Sequence, residues 1–394
     1  MDIRKEIAEH KEELIALRRD FHQYPELGYK EFNTSKKIVE YLKNIGLEPS
    51  IVSKTGVTAL IKGKGLSPCV ILRVDMDALP QKEQTGLPYA SVNEGVMHAC
   101  GHDGHMAMLL IAAKILCRHK DMLKGSVKLV FQPNEEEAGA LDMIHEGILE
   151  NPEVHAAMGI HLWTPVESGK IGVSPGPVMA ATEEFEMTIK GKGGHTSEPH
   201  RAVDTILAAS ALIQSLQTLQ TRENNPLNPL TIMVGKINGG TGRNIISDKV
   251  EMGGTIRFHF PNEKTEKKEL MDKFQRVIKG VCETYGTEYE IKFIPSNPTL
   301  MNDEKIIQTV RKAAMEVYGK EDAIVEYRCM AGEDFAEFSQ RVPSAFYFVG
   351  TGNKEKKTDF PHHHPSFNID EDSLALGVEM HIKSLLGYFD SVHL

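Results

Sequence analysis

The chain has few cysteines, and none is placed to pair. Cys69, Cys100, Cys117, Cys282 and Cys329 are odd in number, scattered, and never spaced as C-x-x-C. That excludes a disulfide framework and a four-cysteine zinc module, and reduced thiols point to a cytoplasmic setting. Long apolar runs are missing too, so no membrane span is expected. The opening stretch "MDIRKEIAEHKEEL" is charged throughout and lacks the apolar region of a signal peptide. Positive charge is in deficit, 45 basic against 55 acidic residues for a net charge of −10, which argues against a nucleic-acid-binding surface. No internal repeat or low-complexity segment is present.

Histidine, by contrast, is abundant, with 17 among 394 residues. A chain of this length exceeds one comfortable core, so two domains are expected. "IRKEIAEHKEELIALRRDFH" has helical spacing, and "NTSKKIVEYLKNIG" reads as a second helix with Asn33 or Thr34 as cap and Gly46 as stop. "VTALIKG", "CVILRVD", "VKLVFQP" and "AAMGIHL" read as strands alternating with helices, which suggests a mixed or parallel α/β sheet. From Glu183 the order becomes β-α-β-β-α-β, the split βαβ layout. The expected architecture is an α/β domain, 1–182 plus 296–394, carrying an inserted α+β domain, 183–295.

Chemistry gathers at strand ends and loops. In "HACGHDGH", Gly101 allows a tight turn between Cys100 and His102, and thiolate with imidazole suits zinc and similar metals. The plain alternative is a buried cysteine beside a loop histidine. His98, Asp103 and His105 read as support for the loop. "FQPNEEE" places Glu135, Glu136 and Glu137 just after a strand, where one glutamate can bind metal while its neighbour takes a proton from water. The plain alternative there is a solvated helix start. His161 ends an apolar run beside Trp163, "PHHHPSF" supplies His362, His363 and His364, and "LRVDMDALP" puts Asp75 and Asp77 on one face. Either aspartate can bind metal or orient a ligand histidine. Together these sites suit a two-metal hydrolase better than five unrelated accidents.

"RVDMDALP", "HACGHDGH", "FQPNEEE", "GIHLW", "GKGGHTSEPH", "GGTGRNIISD", "GTIRF", "AGEDFAEF" and "HHHPSFNIDED" occur in this order along nearly the whole chain. The sequence thereby resembles the M20 metallopeptidase family, and within it the amidohydrolase branch of hippurate hydrolases, N-acyl-amino-acid amidohydrolases and auxin-conjugate hydrolases. The resemblance implies a zinc-exopeptidase-like catalytic α/β domain with an inserted ferredoxin-like α+β lid that dimerises, a tetramer being a further option. It implies two divalent metal ions per subunit (zinc, manganese, cobalt or nickel). Cys100 would bridge them, with His102, Glu136, His161 and His363 as further ligands and His161 on the other metal. Glu135 would be the general base. His195 would hold the substrate carboxylate or oxyanion, and Asn244 and Arg257 would face substrate. The family usually has Ala-Glu-Glu and a Gly-rich run after "FQP", so anchoring on "GA" instead of the strand would shift the base and ligand to Glu136 and Glu137. The implied reaction is hydrolysis of the amide of an N-acyl amino acid. The rivals are a dipeptidase or carboxypeptidase with the same site, a non-catalytic binding protein, and a redox thiol at Cys100.

Overall fold

A computed structural model describes residues 2–392. The chain divides into two compact units. The first comprises residues up to Val178, Leu300–Arg328 and the chain from Glu333 onward, and the second comprises Met179–Thr299 and Cys329–Gly332. Each has an apolar core of its own.

The N-terminal periodicity that reads as one helix forms two, α1 (Ile3–Glu9) and α2 (Lys11–Gln23), parted at His10 with φ −105° and ψ 9°. The apolar spacing carries across the break and hides it. Helix α3 (Phe32–Asn44) begins ahead of the expected caps. Neither Asn33 nor Thr34 caps it. Instead the Glu26 carboxylate accepts their backbone N–H groups at 3.2 and 2.8 Å, satisfying donors that the first turn leaves open.

There follow β1 (Ser50–Val52), β2 (Gly56–Ile61), β3 (Cys69–Asp75), α4 (His102–Arg118), β4 (Ser126–Gln132), α5 (Ala140–His145), β5 (Val154–Glu167), β6 (Ile171–Gly172) and β7 (Gly176–Met179). The second unit contributes β8 (Ala181–Lys190), β9 (Gly194–His195), α6 (Thr205–Thr218), β10 (Leu230–Gly239), β11 (Ile245–Ile246), β12 (Lys249–Phe258), α7 (Glu263–Tyr285) and β13 (Glu288–Pro295). The chain then returns through β14 (Leu300–Asn302), α8 (Glu304–Tyr318), β15 (Ile324–Val325), α9 (Ala336–Ser339), β16 (Ser344–Gly352) and α10 (Asp372–Ser391).

In the first unit a mixed eight-stranded sheet runs β1-β2-β4-β3-β5-β16-β6-β15. Strands β3 and β4 are buried along their whole length, as the continuous apolar runs require of strands covered on both faces. Parallel register sets Asp75 beside Gln132, and Arg73 beside Gly159. The ends of β3 and β4 are therefore level, and His161, two residues past Gly159, reaches the same height. His161 does not end its strand: β5 continues to Glu167, because Leu162 and Trp163 still pair with Val349 and Gly350 of β16.

The second unit runs β-α-β-β-α-β in an antiparallel sheet ordered β10-β12-β8-β13. Along β8, Phe185, Met187 and Ile189 are buried while Glu184 and Glu186 are exposed, the alternation of a sheet with one covered face. Leu212 and Leu216 of α6 and Phe274 and Ile278 of α7 complete that core.

Candidate two-metal centre

Gly101 has φ +91° and precedes His102, the first residue of α4. A left-handed residue there turns the chain sharply enough to set Cys100 and His102 on either side of one point. His102 Nδ1–H donates to the Asp77 carbonyl at 2.9 Å, which leaves Nε2 as the ring nitrogen open to a ligand. His161 Nδ1–H likewise donates to the Leu162 carbonyl at 2.9 Å, and its Nε2 lies 3.5 Å from Cys100 Sγ. In both rings the backbone fixes the tautomer that exposes a ligand atom.

After β4 the chain turns through two left-handed residues, Asn134 (φ +56°) and Ala138 (φ +63°), which bracket Glu135–Glu137. The Glu136 N–H donates to Asp77 Oδ2 at 3.1 Å. Its Oε1 meets His363 Nε2 at 3.3 Å. His363 is itself left-handed (φ +64°), and its N–H donates to the Ala99 carbonyl at 2.8 Å, tying the "HHHP" loop to the "HACGH" loop. Glu137 is exposed. His362 points elsewhere, with Nε2 3.0 Å from the Leu162 carbonyl and its ring stacked on Trp163 at 4.1 Å.

Five groups of possible ligands result among the described residues, and two of them share the thiol, while a third joins His102 to Glu135 and Glu136. Of the two that share it, Cys100, His102 and His161 form one, and Cys100, Glu136 and His363 form the other, the ligand atoms of each lying within 4.8 Å of one another. His102 Nε2 and Glu136 Oε1 are buried without a hydrogen-bond partner among the described residues, a costly state that a cation would relieve. One sulfur flanked by imidazoles and a carboxylate fits a pair of divalent transition ions. Cys100, His102, Glu136, His161 and His363 would hold them.

The electrostatics agree. Burial opposes a charge on His102, but Asp75, Asp77 and Glu136 outweigh it and lift its pKa to about 10. Burial and then Glu136, Glu135 and Asp75 push the Cys100 thiol well above its usual range. The pocket thus demands positive charge. Glu135 is raised well above the ordinary carboxyl range by burial, with Glu333, Glu136 and Asp334 adding to it. An acid held that way is suited to taking up a proton.

Sequence reasoning left Arg73, Glu333 and Asp334 without a role. Arg73 is fully buried inside β3, and its guanidinium reaches Asp75 at 2.9 Å, Asp334 at 2.9 Å, Glu333 at 3.1 Å and Gln132 at 2.9 Å. Gln132 and the Ala140 N–H also donate to Asp334 at 2.7 and 2.8 Å. The available signal was an arginine inside the apolar run "CVILRVD". A second buried brace joins Arg18 and His22 of α2 to Asp103 at 2.8 and 2.7 Å.

Asp75 holds His105 Nδ1 at 2.6 Å, and His105 Nε2 accepts the Leu162 N–H at 2.8 Å. Asp77 meets His102 Nδ1 with its carbonyl at 2.9 Å and with its carboxylate Oδ1 at 3.4 Å. His98 is fully buried, and burial pushes its pKa down to about 3. The remaining candidates belong to the second unit. The β9–β11 pair joins the segments of His195 and Asn244, with the Thr196 N–H donating to the Asn244 carbonyl at 3.2 Å. Arg257, in β12, donates to the Met330 carbonyl at 3.0 Å.

The model of the peptidase family M20/M25/M40 matches residues 71–386. Thermostable carboxypeptidase 1 of Saccharolobus solfataricus is 37% identical over 386 residues, covering 96% of each chain. N-acetyl-L-cysteine deacetylase of Bacillus subtilis is 41% identical, covering 92% of this chain and 85% of its own. Among solved structures, a Bacillus subtilis dinuclear metal binding peptidase of the M20 family superposes with a TM-score of 0.84 at 34% identity, over 98% of this chain and all of its own.

Proposed function

The chain belongs to the M20/M25/M40 peptidase family and is a hydrolase, and we propose that it cleaves the amide bond of N-acyl amino acids, releasing a carboxylic acid and a free amino acid. The observation that carries this reading is Cys100 shared between two ligand groups, with the buried carboxyl of Glu135 next to ligand Glu136. Two divalent ions bound there would activate water and polarise the scissile carbonyl. Zinc, manganese, cobalt and nickel all suit the donor set.

Glu135 takes the proton of the attacking water and passes it to the leaving amine. The exposure of Glu137 supports Glu135 and Glu136, not the pair shifted by one. His195 donates to the substrate oxyanion or carboxylate, and Asn244 and Arg257 are further substrate-facing candidates. The second unit serves as lid and as dimer surface. Its edge strand β10 exposes Met233 and Ile237, and α6 exposes Ile206 and Leu207, surfaces that favour pairing with a second copy. The scatter of the cysteines along the sequence, with no C-x-x-C spacing, supports a reducing, cytoplasmic compartment.

Similarity to a carboxypeptidase supports a second reading, peptide cleavage at the same centre. Turnover of N-acetyl amino acids, hippurate and dipeptides by the metal-loaded protein separates the two. E135Q is expected to keep both metals and lose about 10²–10⁴-fold in kcat; full activity in that variant refutes the base assignment.

A further inference from the structure

His195 sits on the short strand β9, opposite Ile245 of β11. The chain then turns back at once, with the Glu198 N–H donating to the His195 carbonyl at 2.9 Å. That turn brings Ser197 over the edge of the imidazole. The Ser197 backbone N–H donates to His195 Nδ1 at 3.1 Å, and Ser197 Oγ lies 2.7 Å from the same nitrogen. A ring nitrogen that accepts an amide N–H carries a lone pair, so the proton of the neutral ring resides on Nε2. The serine hydroxyl can donate to the same lone pair and strengthen that preference. His195 and Ser197 are both exposed in their unit, so Nε2–H is presented outward.

We propose that Ser197 is a positioning residue that fixes His195 in its Nε2–H tautomer, so that His195 meets substrate as a hydrogen-bond donor and not as a proton acceptor. This rests on the reading of His195 as substrate-facing. It assigns the two proton-related tasks to different groups: Glu135 accepts and delivers protons, while His195 supplies a fixed dipole to developing negative charge. A histidine free to exchange tautomers would present a lone pair to the oxyanion part of the time and repel it.

Long-range ¹H–¹⁵N spectra of the zinc-loaded, histidine-labelled full chain test this, with H195A supplying the assignment. The expected result is a protonated Nε2 and an unprotonated Nδ1. S197A is expected to raise the Nδ1–H share and lower kcat by about two- to tenfold, the scale of one neutral hydrogen bond, and S197T to restore both. H195Q, whose amide sets an N–H near the Nε2 position, is expected to keep more activity than H195A. An Nδ1–H ring in the wild type, or an unchanged tautomer ratio in S197A, overturns the proposal, as does H195Q as inactive as H195A. Full turnover by H195A overturns the substrate-facing reading beneath it. That outcome is distinguishable because the tautomer signal does not depend on turnover.

Discussion

Replacing Arg73 by Met removes the guanidinium that pairs with buried Asp75, Glu333 and Asp334 while keeping most of the side-chain volume. All four side chains have relative exposures of 0–2%, so water cannot take over the charge. Breaking such a pair from one side costs about 3–5 kcal/mol. The cost depends on pH. Glu333 and Asp334 are already raised above their ordinary range, burial being the main cause and Arg73 the main force holding them down. Without Arg73 they rise further. An acid whose folded pKa exceeds its unfolded value loses stability as pH climbs from the unfolded pKa through the folded one. R73M is therefore expected to be nearest to wild type around pH 5 and furthest from it at pH 7.5 and above. R73K is expected to fall between, since an ammonium cannot reproduce the fork that touches four partners. The chain has a single tryptophan, Trp163, in the first unit, so urea unfolding followed by its fluorescence reports that unit. Metal-free protein avoids linkage to bound ions. A loss below about 1 kcal/mol at pH 7.5, or one independent of pH, refutes the view of Arg73 as the charge that keeps these carboxylates tolerable.

Three other outcomes are expected. C100A should hold fewer than one metal ion per chain after desalting, measured by elemental analysis, because the lost thiol belongs to both groups. His381 lies fully buried in α10, and burial followed by the charge of His105 pushes its pKa down to about 3; stability of metal-free protein should therefore fall by up to about 1.4 kcal/mol per unit as pH drops below 6.5, and H381L should remove that part of the slope. If the β10 edge is the proposed pairing surface, the unchanged chain should sediment as a dimer and M233E with I237E as a monomer, with the circular dichroism unchanged.

What was legible in the sequence was whatever a single stretch carries by itself. Cys100, His102, Glu135 and Glu136 could be picked out as candidates because metal-ligating and acidic types fall together at strand ends, and the structure gathers them in one region. The β-α-β-β-α-β order of the second unit follows from alternation and helical spacing, both local properties. The Arg73 cage was not legible, because Asp334 lies 261 residues away along the chain and no local pattern ties the two. The break at His10 was hidden by a helical period that runs through it. The length of β5 was hidden because its extension depends on β16, a strand formed nearly two hundred residues later.

Together these features describe a centre built against the stability of its own apo form. Asp75, Glu135, Glu333 and Asp334 are all buried within one region, and the proposed ligand atoms His102 Nε2 and Glu136 Oε1 have no hydrogen-bond partner among the described residues. Groups in that state cost free energy in the folded chain. The fold tolerates them because its braces do not depend on the ligand atoms. Arg73 neutralises the rear of the acidic cluster, the Arg18–Asp103 pair anchors the start of α4, and the Ala99–His363 backbone bond joins the two ligand loops. The proposed ligands are thereby held converging, with Glu136 Oε1 3.3 Å from His363 Nε2. Ions bound at the proposed ligands would recover that electrostatic cost without a rearrangement, so affinity at the centre and stability of the first unit are expected to rise together.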